Sequence, residues 1–204
     1  MKILLTGHTG FLGINLLKKI NGYIIEKYEK GRFDYTVDMV IHLATYGNHY
    51  TQTEIDNIYK TNIELTWNLL TKCKYKQFIF CSTSSVYGKR TNPMFETDSI
   101  NPETYYSMTK AMGETMAKYH NATIIRPFSI YGPEDKIDHF IPIIIKKSIN
   151  GDKIDLDPLP RHDWVYIDDF IDALLVIVKM ADTFKKRIIN IGTSGEYTNK
   201  EVVN

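Results

Sequence analysis

Cysteine and net charge are both scarce in this chain. Its 204 residues include only Cys73 and Cys81, too few for the disulfide framework that staples small secreted domains. Both are expected to be free and buried, as small apolar side chains usually are. Charge is almost balanced, at +1, without the basic excess that neutralising many phosphates requires, which argues against a nucleic-acid partner. Lys72, Lys74 and Lys76 bunch together only as a solvated helix end would. No apolar run approaches the ~20 residues that span a bilayer; the stretch from Phe140 to Ile145 is short and contains Pro142. Polar Thr6, His8 and Thr9 interrupt the first apolar stretch, so no secretory signal is read there and a cytoplasmic location without membrane contact is expected. The six histidines form neither His-Glu-x-x-His nor a Cys/His ligand spacing, and no metal site is expected. Internal repeats and low-complexity segments are missing too.

What is present is an alternation. With 43% hydrophobic and 24% charged residues the chain can bury one substantial core. Strands are predicted at Lys2 to Thr6, near Tyr23 to Tyr28, at Met39 to Ala44, Gln77 to Cys81 and Ala122 to Arg126. Between them, helical apolar spacing runs from Phe11 to Ile20, near Asp56 to Lys72 and from Tyr105 to Tyr119. Strands alternating with helices imply a doubly wound parallel sheet, an α/β Rossmann-like fold, over residues 1–132. Residues 133–204 read as a mixed segment, with the start of a substrate-binding portion and returning elements of the sheet. It holds helices at Phe140 to Asn150 and Ile167 to Met180 and strands near Lys153 to Leu156 and at Arg187 to Ile191. The ten residues between Tyr28 and Met39 are too few for a further strand and its crossover helix, so a reduced sheet edge is expected.

Chemistry concentrates in two motifs. GHTGFLG, Gly7 to Gly13, sits on a strand-to-helix turn: Gly7 suits the tight turn, Gly10 lets the backbone approach a pyrophosphate, and Gly13 allows helix to pack closely on strand. Free N–H groups at the helix start then face the anion. Tyr106 and Lys110, four residues apart, share one face of a helix. A phenol near pKa 10 is a poor base at neutral pH unless a cation favours its phenolate, and Lys110 together with an oxidised nicotinamide offers that charge. Between the motifs, Ser82 to Gly88 follows a buried strand at its carboxyl end, where ligands of open α/β sheets bind; a hydroxyl there completes a Thr/Tyr/Lys set. Each feature alone also fits a bland reading: a ligand-free glycine turn, a solvated Tyr and Lys, a serine-rich loop. Their combination and order favour a redox enzyme.

Carrying these motifs, the chain resembles the extended short-chain dehydrogenase/reductases in their NAD-dependent epimerase/dehydratase branch. The resemblance runs nearly end to end, through MKILLTGHTGFLG, VIHLA, TNIELTWNLL, CSTSSVYG, YYSMTK, RPFSIYGP, DWVYIDD and NIGTSGEYTNKEVV. It implies that Gly7, Gly10, Phe11, Leu12 and Gly13 line a pyrophosphate of NAD or NADP, and that Leu43, Ala44, Asn62 and Ser82 approach the ribose sides. Thr83, Tyr106 and Lys110 fall on catalytic positions, and Phe128 and Ser129 border nicotinamide and substrate, a nucleotide-linked sugar. Relatives of this kind that eliminate water carry an acidic pair after the catalytic Thr, and decarboxylases keep a Glu at the place of Ser85. Here Ser84, assigned to the substrate side, and Ser85 stand there, and a hydroxyl cannot replace a carboxylate as base. That disfavours elimination and decarboxylation, with a nucleotide-sugar dehydratase kept as the lesser alternative, and leaves C4 epimerisation or 4-keto reduction in front. The arginine that clamps the substrate diphosphate is displaced: His162 holds its place and Arg161 lies one residue earlier.

Three further expectations follow. Glu26, nineteen residues after Gly7, is close to the spacing of a carboxylate that binds a ribose 2′-hydroxyl and selects NAD, whereas Lys27, Lys30 and Arg32 suit the 2′-phosphate of NADP. Met108, Met112 and Met116 form a stripe turned away from Tyr106 and read as core packing, while the family's habit of pairing through this helix and the one near Asp56 implies a homodimer. The chain stops at Asn204, where relatives continue, so either it is a truncated piece of a longer protein or its substrate pocket is unusually open, and weak activity is expected. The competing function is a cofactor-binding sensor or scaffold of the same fold without catalysis.

Overall fold

A computed structural model describes residues 1–90 and 92–203; Thr91 and Asn204 lie outside it. β1 (Lys2–Thr6), β2 (Ile24–Lys27), β3 (Met39–His42), β4 (Gln77–Cys81), β5 (Thr123–Pro127) and β9 (Ile188–Ile191) form one sheet in the order β2-β1-β3-β4-β5-β9. Every pairing in it is parallel. β-Branched and aromatic residues suit strands buried on both faces. Ile3, Leu5, Ile41, Ile79 and Ile125 point to one face, where α1 (Phe11–Lys19) and α6 (Ile167–Lys179) cover them with Leu16, Phe170, Ile171 and Leu174. Leu4, Val40, Phe78, Phe80 and Ile124 point to the other face and pack on Leu69 and Ala117. Those two side chains come from α3 (Leu65–Lys72), reached through α2 (Ile55–Tyr59) and the π-helical turn Lys60–Glu64, and from α4 (Tyr105–Tyr119). The two-residue period of a strand is what divides the residues between the faces.

β2 is the edge strand on the side of β1, as the short Tyr28 to Met39 link requires. Within that link Tyr35 and Val37 are buried against the α3 face, and Thr36 bridges to Lys74. The chain runs from β1 to β2 on one side and then returns to β3 on the other. Strand order therefore reverses between β1 and β3, the crevice where open α/β sheets take ligands.

Past β5 the chain leaves the sheet and comes back. β6 (Ser129–Tyr131) pairs with β8 (Trp164–Tyr166), and β7 (Arg161–His162) with β10 (Tyr197–Thr198). α5 (Phe140–Asn150) lies between β6 and β7; its Pro142 sits in the first turn, where a missing N–H costs nothing. α7 (Ala181–Phe184) precedes β9, and α8 (Asn199–Val203) follows β10. One expectation fails here. Lys153 to Leu156 is not a strand; the ladders form later, at β7 and β8, where partners exist. Among the described residues no helix is long and apolar enough to cross a membrane.

Candidate active site

The glycine turn is demanding at two of its three glycines. Gly7 has φ +70°, and a Cβ there would lie 2.7 Å from the Ala44 backbone N; one on Gly13 would lie 2.2 Å from the Gly7 carbonyl O. Gly10 differs. Its φ is −92° and its nearest would-be neighbour is 3.4 Å away, so within the chain its missing side chain leaves space above the turn. Gly10 caps α1 without a side-chain hydrogen bond, and the first turn of α1 has no acidic residue. The leading N–H groups of that helix are left to an anion, and His8 Nδ1 beside them is buried with no partner. These features fit a pyrophosphate.

Tyr106 and Lys110 enter from α4, whose start is set by a capping box: Thr104 Oγ1 accepts from Ser107 N at 3.1 Å and Thr104 N donates to Ser107 Oγ at 3.0 Å. Both side chains reach a cleft of about 230 Å³ also lined by Phe11, Leu12, Leu43, Cys81, Ser82, Thr83, Ser85 and Phe128. The strand-end residues, the helix dyad and the start of α1 thus meet at the crevice where strand order reverses. Lys110, 1% exposed, places Nζ 4.4 Å from the Phe80 ring centre, and burial pulls its pKa down to about 8. Burial pushes the Tyr106 phenol up to about 12, with Cys81 adding to the rise and the hydroxyls of Thr83 and Thr45 pulling against it. Burial likewise raises the Cys81 thiol to about 11, which keeps it neutral. Thr83 is the N-cap of the 3-10 turn Ser84–Tyr87; its Oγ1 accepts from Ser85 N and donates to Ser85 Oγ, both at 3.1 Å.

A buried polar network holds this floor. Arg126, on β5, donates to both carboxylate oxygens of Glu114 at 2.8 and 2.6 Å and to the Tyr87 hydroxyl at 2.8 Å. Ser82 Oγ donates to Glu114 at 2.6 Å, and the Tyr87 hydroxyl donates to Asn190 on β9 at 2.8 Å. His42 bridges Thr6 at 2.6 Å and Thr66 at 2.9 Å; burial lowers its pKa to about 3, so it is neutral.

Other expected positions lie deeper in the protein or in ion pairs. Asn62 is 1% exposed and fully engaged. Its two donors go to Tyr46 O and Thr109 Oγ1, both at 2.9 Å, and its oxygen accepts from Tyr46 N at 2.9 Å and Thr45 Oγ1 at 3.2 Å. The hydrogen-bonding capacity of the amide is thus taken up within the chain, and Asn62 ties Thr45 and Tyr46 to α4. The Glu26 carboxylate stands 2.6 Å from Lys2, at the amino end of β1, and 3.4 Å from Arg32, and its Oε2 is buried without a hydrogen-bond partner. Ala44 contributes backbone behind Gly7. Of the methionine stripe, Met116 packs on the core, but Met108 and Met112 are 42% and 48% exposed. Cys73 and Cys81 are both free and buried, as expected.

A second, larger pocket of about 570 Å³ joins the first at Phe128 and includes Ser84, Ser129, Arg161, His162, Arg90 and Asn190. Arg161 lines it but pairs with Glu196 at 2.9 Å. Sequence reasoning missed Thr45 and Asp135 of the first pocket and Arg90 and Asn190 of the second. Only the place of Thr45 at a strand's carboxyl end offered a signal.

The sequence model described as NAD dependent epimerase/dehydratase family matches residues 29–192. A dTDP-D-glucose 4,6-dehydratase of Dictyostelium discoideum is 30% identical over 81% of this chain and 43% of its own length. A dTDP-4-dehydro-6-deoxyglucose reductase of Escherichia coli is 31% identical over 83% of this chain and 58% of its own. The chain thus spans about half the length of these curated relatives. Among solved structures, UDP-glucuronic acid 4-epimerase from Bacillus cereus, in complex with UDP-glucuronic acid and NAD, superposes with a TM-score of 0.87 at 24% identity. The match covers 99% of this chain and 81% of that one.

Proposed function

Because the chain belongs to the NAD dependent epimerase/dehydratase family, we propose that it binds NAD or NADP and acts by hydride transfer at C4 of a nucleotide-linked sugar, as a 4-epimerase or 4-ketoreductase. One observation carries this reading: Thr83, Tyr106 and Lys110 line a single cleft with the start of α1. When bound, the nicotinamide supplies or accepts the hydride. Tyr106 exchanges a proton with the reacting sugar oxygen, and Thr83, a hydroxyl away, hydrogen-bonds the same oxygen. Lys110 holds a cofactor ribose and stabilises the phenolate as the proton leaves. Gly10 gives the pyrophosphate its approach, and Phe128 separates the cleft from the larger pocket, where Ser84, Ser129 and Arg161 take the sugar nucleotide.

Ser85 supports hydride chemistry over elimination. It lines the cleft, and its hydroxyl accepts a hydrogen bond from Thr83 at 3.1 Å where an eliminating enzyme needs a carboxylic acid or its base. Exposed apolar side chains on neighbouring helices, Tyr59, Trp67, Met108 and Met112, support assembly as a homodimer through α3 and α4.

The test is Tyr106→Phe assayed across nucleotide sugars and 4-keto sugars with both cofactors. Turnover is expected to fall roughly 10²-fold or more, the scale of general acid-base catalysis, while cofactor affinity stays. Unchanged turnover overturns the role. Formation of a 4-keto-6-deoxy product by the unaltered protein overturns the choice of reaction.

A further inference from the structure

Beside the cleft stands a group of side chains that the proposed chemistry does not use. His49 comes from the loop between β3 and α2, Asp138 and His139 from the turn that opens α5. One ligand atom from each lies within 4.8 Å of the others, the only such group of three among the described residues. We propose that His49, Asp138 and His139 bind a divalent transition cation of zinc type, which ties the two loops together across the rim of the cleft.

The geometry is that of a site built around one missing centre. Two ligand atoms each about 2.0–2.1 Å from a tetrahedral zinc stand roughly 3.3 Å apart; His49 Nε2 and Asp138 Oδ2 are 3.4 Å apart. The ring centroids of His49 and His139 are 4.9 Å apart, and the three ligand atoms, all within 4.8 Å of one another, draw in to roughly 3.3 Å around a bound zinc. Metal-bound imidazoles normally have their other nitrogen fixed by an outer partner, and both have one here. His139 Nδ1 is 2.7 Å from Asp135 Oδ1, a carboxylate whose side chain is 3% exposed, and His49 Nδ1 is 2.7 Å from Thr51 Oγ1. At His139 the Asp135 carboxylate supports the Nδ1–H tautomer and leaves Nε2 for the metal; at His49, where Nδ1 accepts from Thr51 N at 3.3 Å and Nε2 faces the Asp138 carbonyl O at 3.4 Å, the proton shifts to Nδ1, toward Thr51 Oγ1, when Nε2 takes the cation. Two imidazoles and one carboxylate suit zinc better than magnesium or calcium, which prefer all-oxygen sets. The fourth position is left to water. His49 and Asp138 are 89 residues apart, beyond the reach of any local spacing motif. Asp135 and His139 also line the Tyr106 cleft, so a bound cation fixes that wall.

Zn²⁺ titrated into chelator-treated, full-length protein, followed by calorimetry, is expected to show one equivalent bound. His49→Ala and His139→Ala are each expected to weaken binding by at least 10-fold, and Asp135→Asn by 10- to 100-fold, the range for outer partners. His120→Ala, far from the group, serves as the control and is expected to leave it unchanged. Zinc-edge X-ray absorption on the unaltered chain gives a readout that needs no variant: two imidazoles at about 2.0–2.1 Å are expected. Fewer than two imidazoles, no stoichiometric Zn²⁺ uptake, or uptake that survives loss of both histidines in folded protein overturns the site.

Discussion

Lys110 and Tyr106 show how burial sets chemistry. A lysine drawn down to about 8 and a phenol pushed up to about 12 both favour neutral forms, because a low-dielectric pocket opposes charge of either sign. If the ammonium is needed, it is present below pH 8 and is lost as pH rises through that value. The kcat/KM of the free enzyme is therefore expected to decline above about pH 8. A profile that stays level to pH 10 contradicts a charged Lys110 in the rate-determining step. Asn62 teaches a related lesson: it has the residue type and place of a ligand contact, yet its four hydrogen bonds all close within the protein.

The glycine turn makes its argument as an element. A side chain at Gly13 meets backbone at 2.2 Å and no rotamer relieves it, so Gly13→Ala is expected to lower stability by roughly 1–3 kcal/mol or more. Gly10→Ala meets nothing inside 3.4 Å and should change stability by less than about 1 kcal/mol, the scale of a cap exchange. It is expected instead to weaken cofactor binding at least 10-fold. Urea denaturation and titration of cofactor fluorescence separate the two; equal loss of stability in both variants refutes the division of labour. α4 has a similar logic. Its capping box sets the phase that carries Tyr106 and Lys110 to the cleft and leaves Met108 and Met112 facing outward.

For the whole molecule, exposed Trp67 and Met112, at 50% and 48%, are large apolar groups on neighbouring helices, and faces of that kind mark association surfaces. Light scattering at micromolar concentration is expected to give twice the chain mass, and Trp67→Glu with Met112→Glu to give a monomer. A monomeric unaltered chain removes the dimer.

Legibility of the fold followed the range of the forces involved. Hydrophobic periodicity, the glycine turn and the Thr104 cap act over a few residues, so the parallel sheet, α1, α4, α5 and the meagre edge between Tyr28 and Met39 could be read directly from the chain. Tyr106, Lys110 and Thr83 were equally readable because helix phase and strand ends are local properties. Other features depended on partners distant in sequence. Short ladders such as β6 with β8 exist only where a second strand arrives, which is why a strand near Lys153 failed and β7 was missed. Glu26 was drawn toward Lys2, Asn62 was saturated by Thr109, and His49 met His139 for the same reason: hydrogen bonds and ion pairs form between whatever side chains folding brings within about 3 Å, and that proximity is a property of the packed chain.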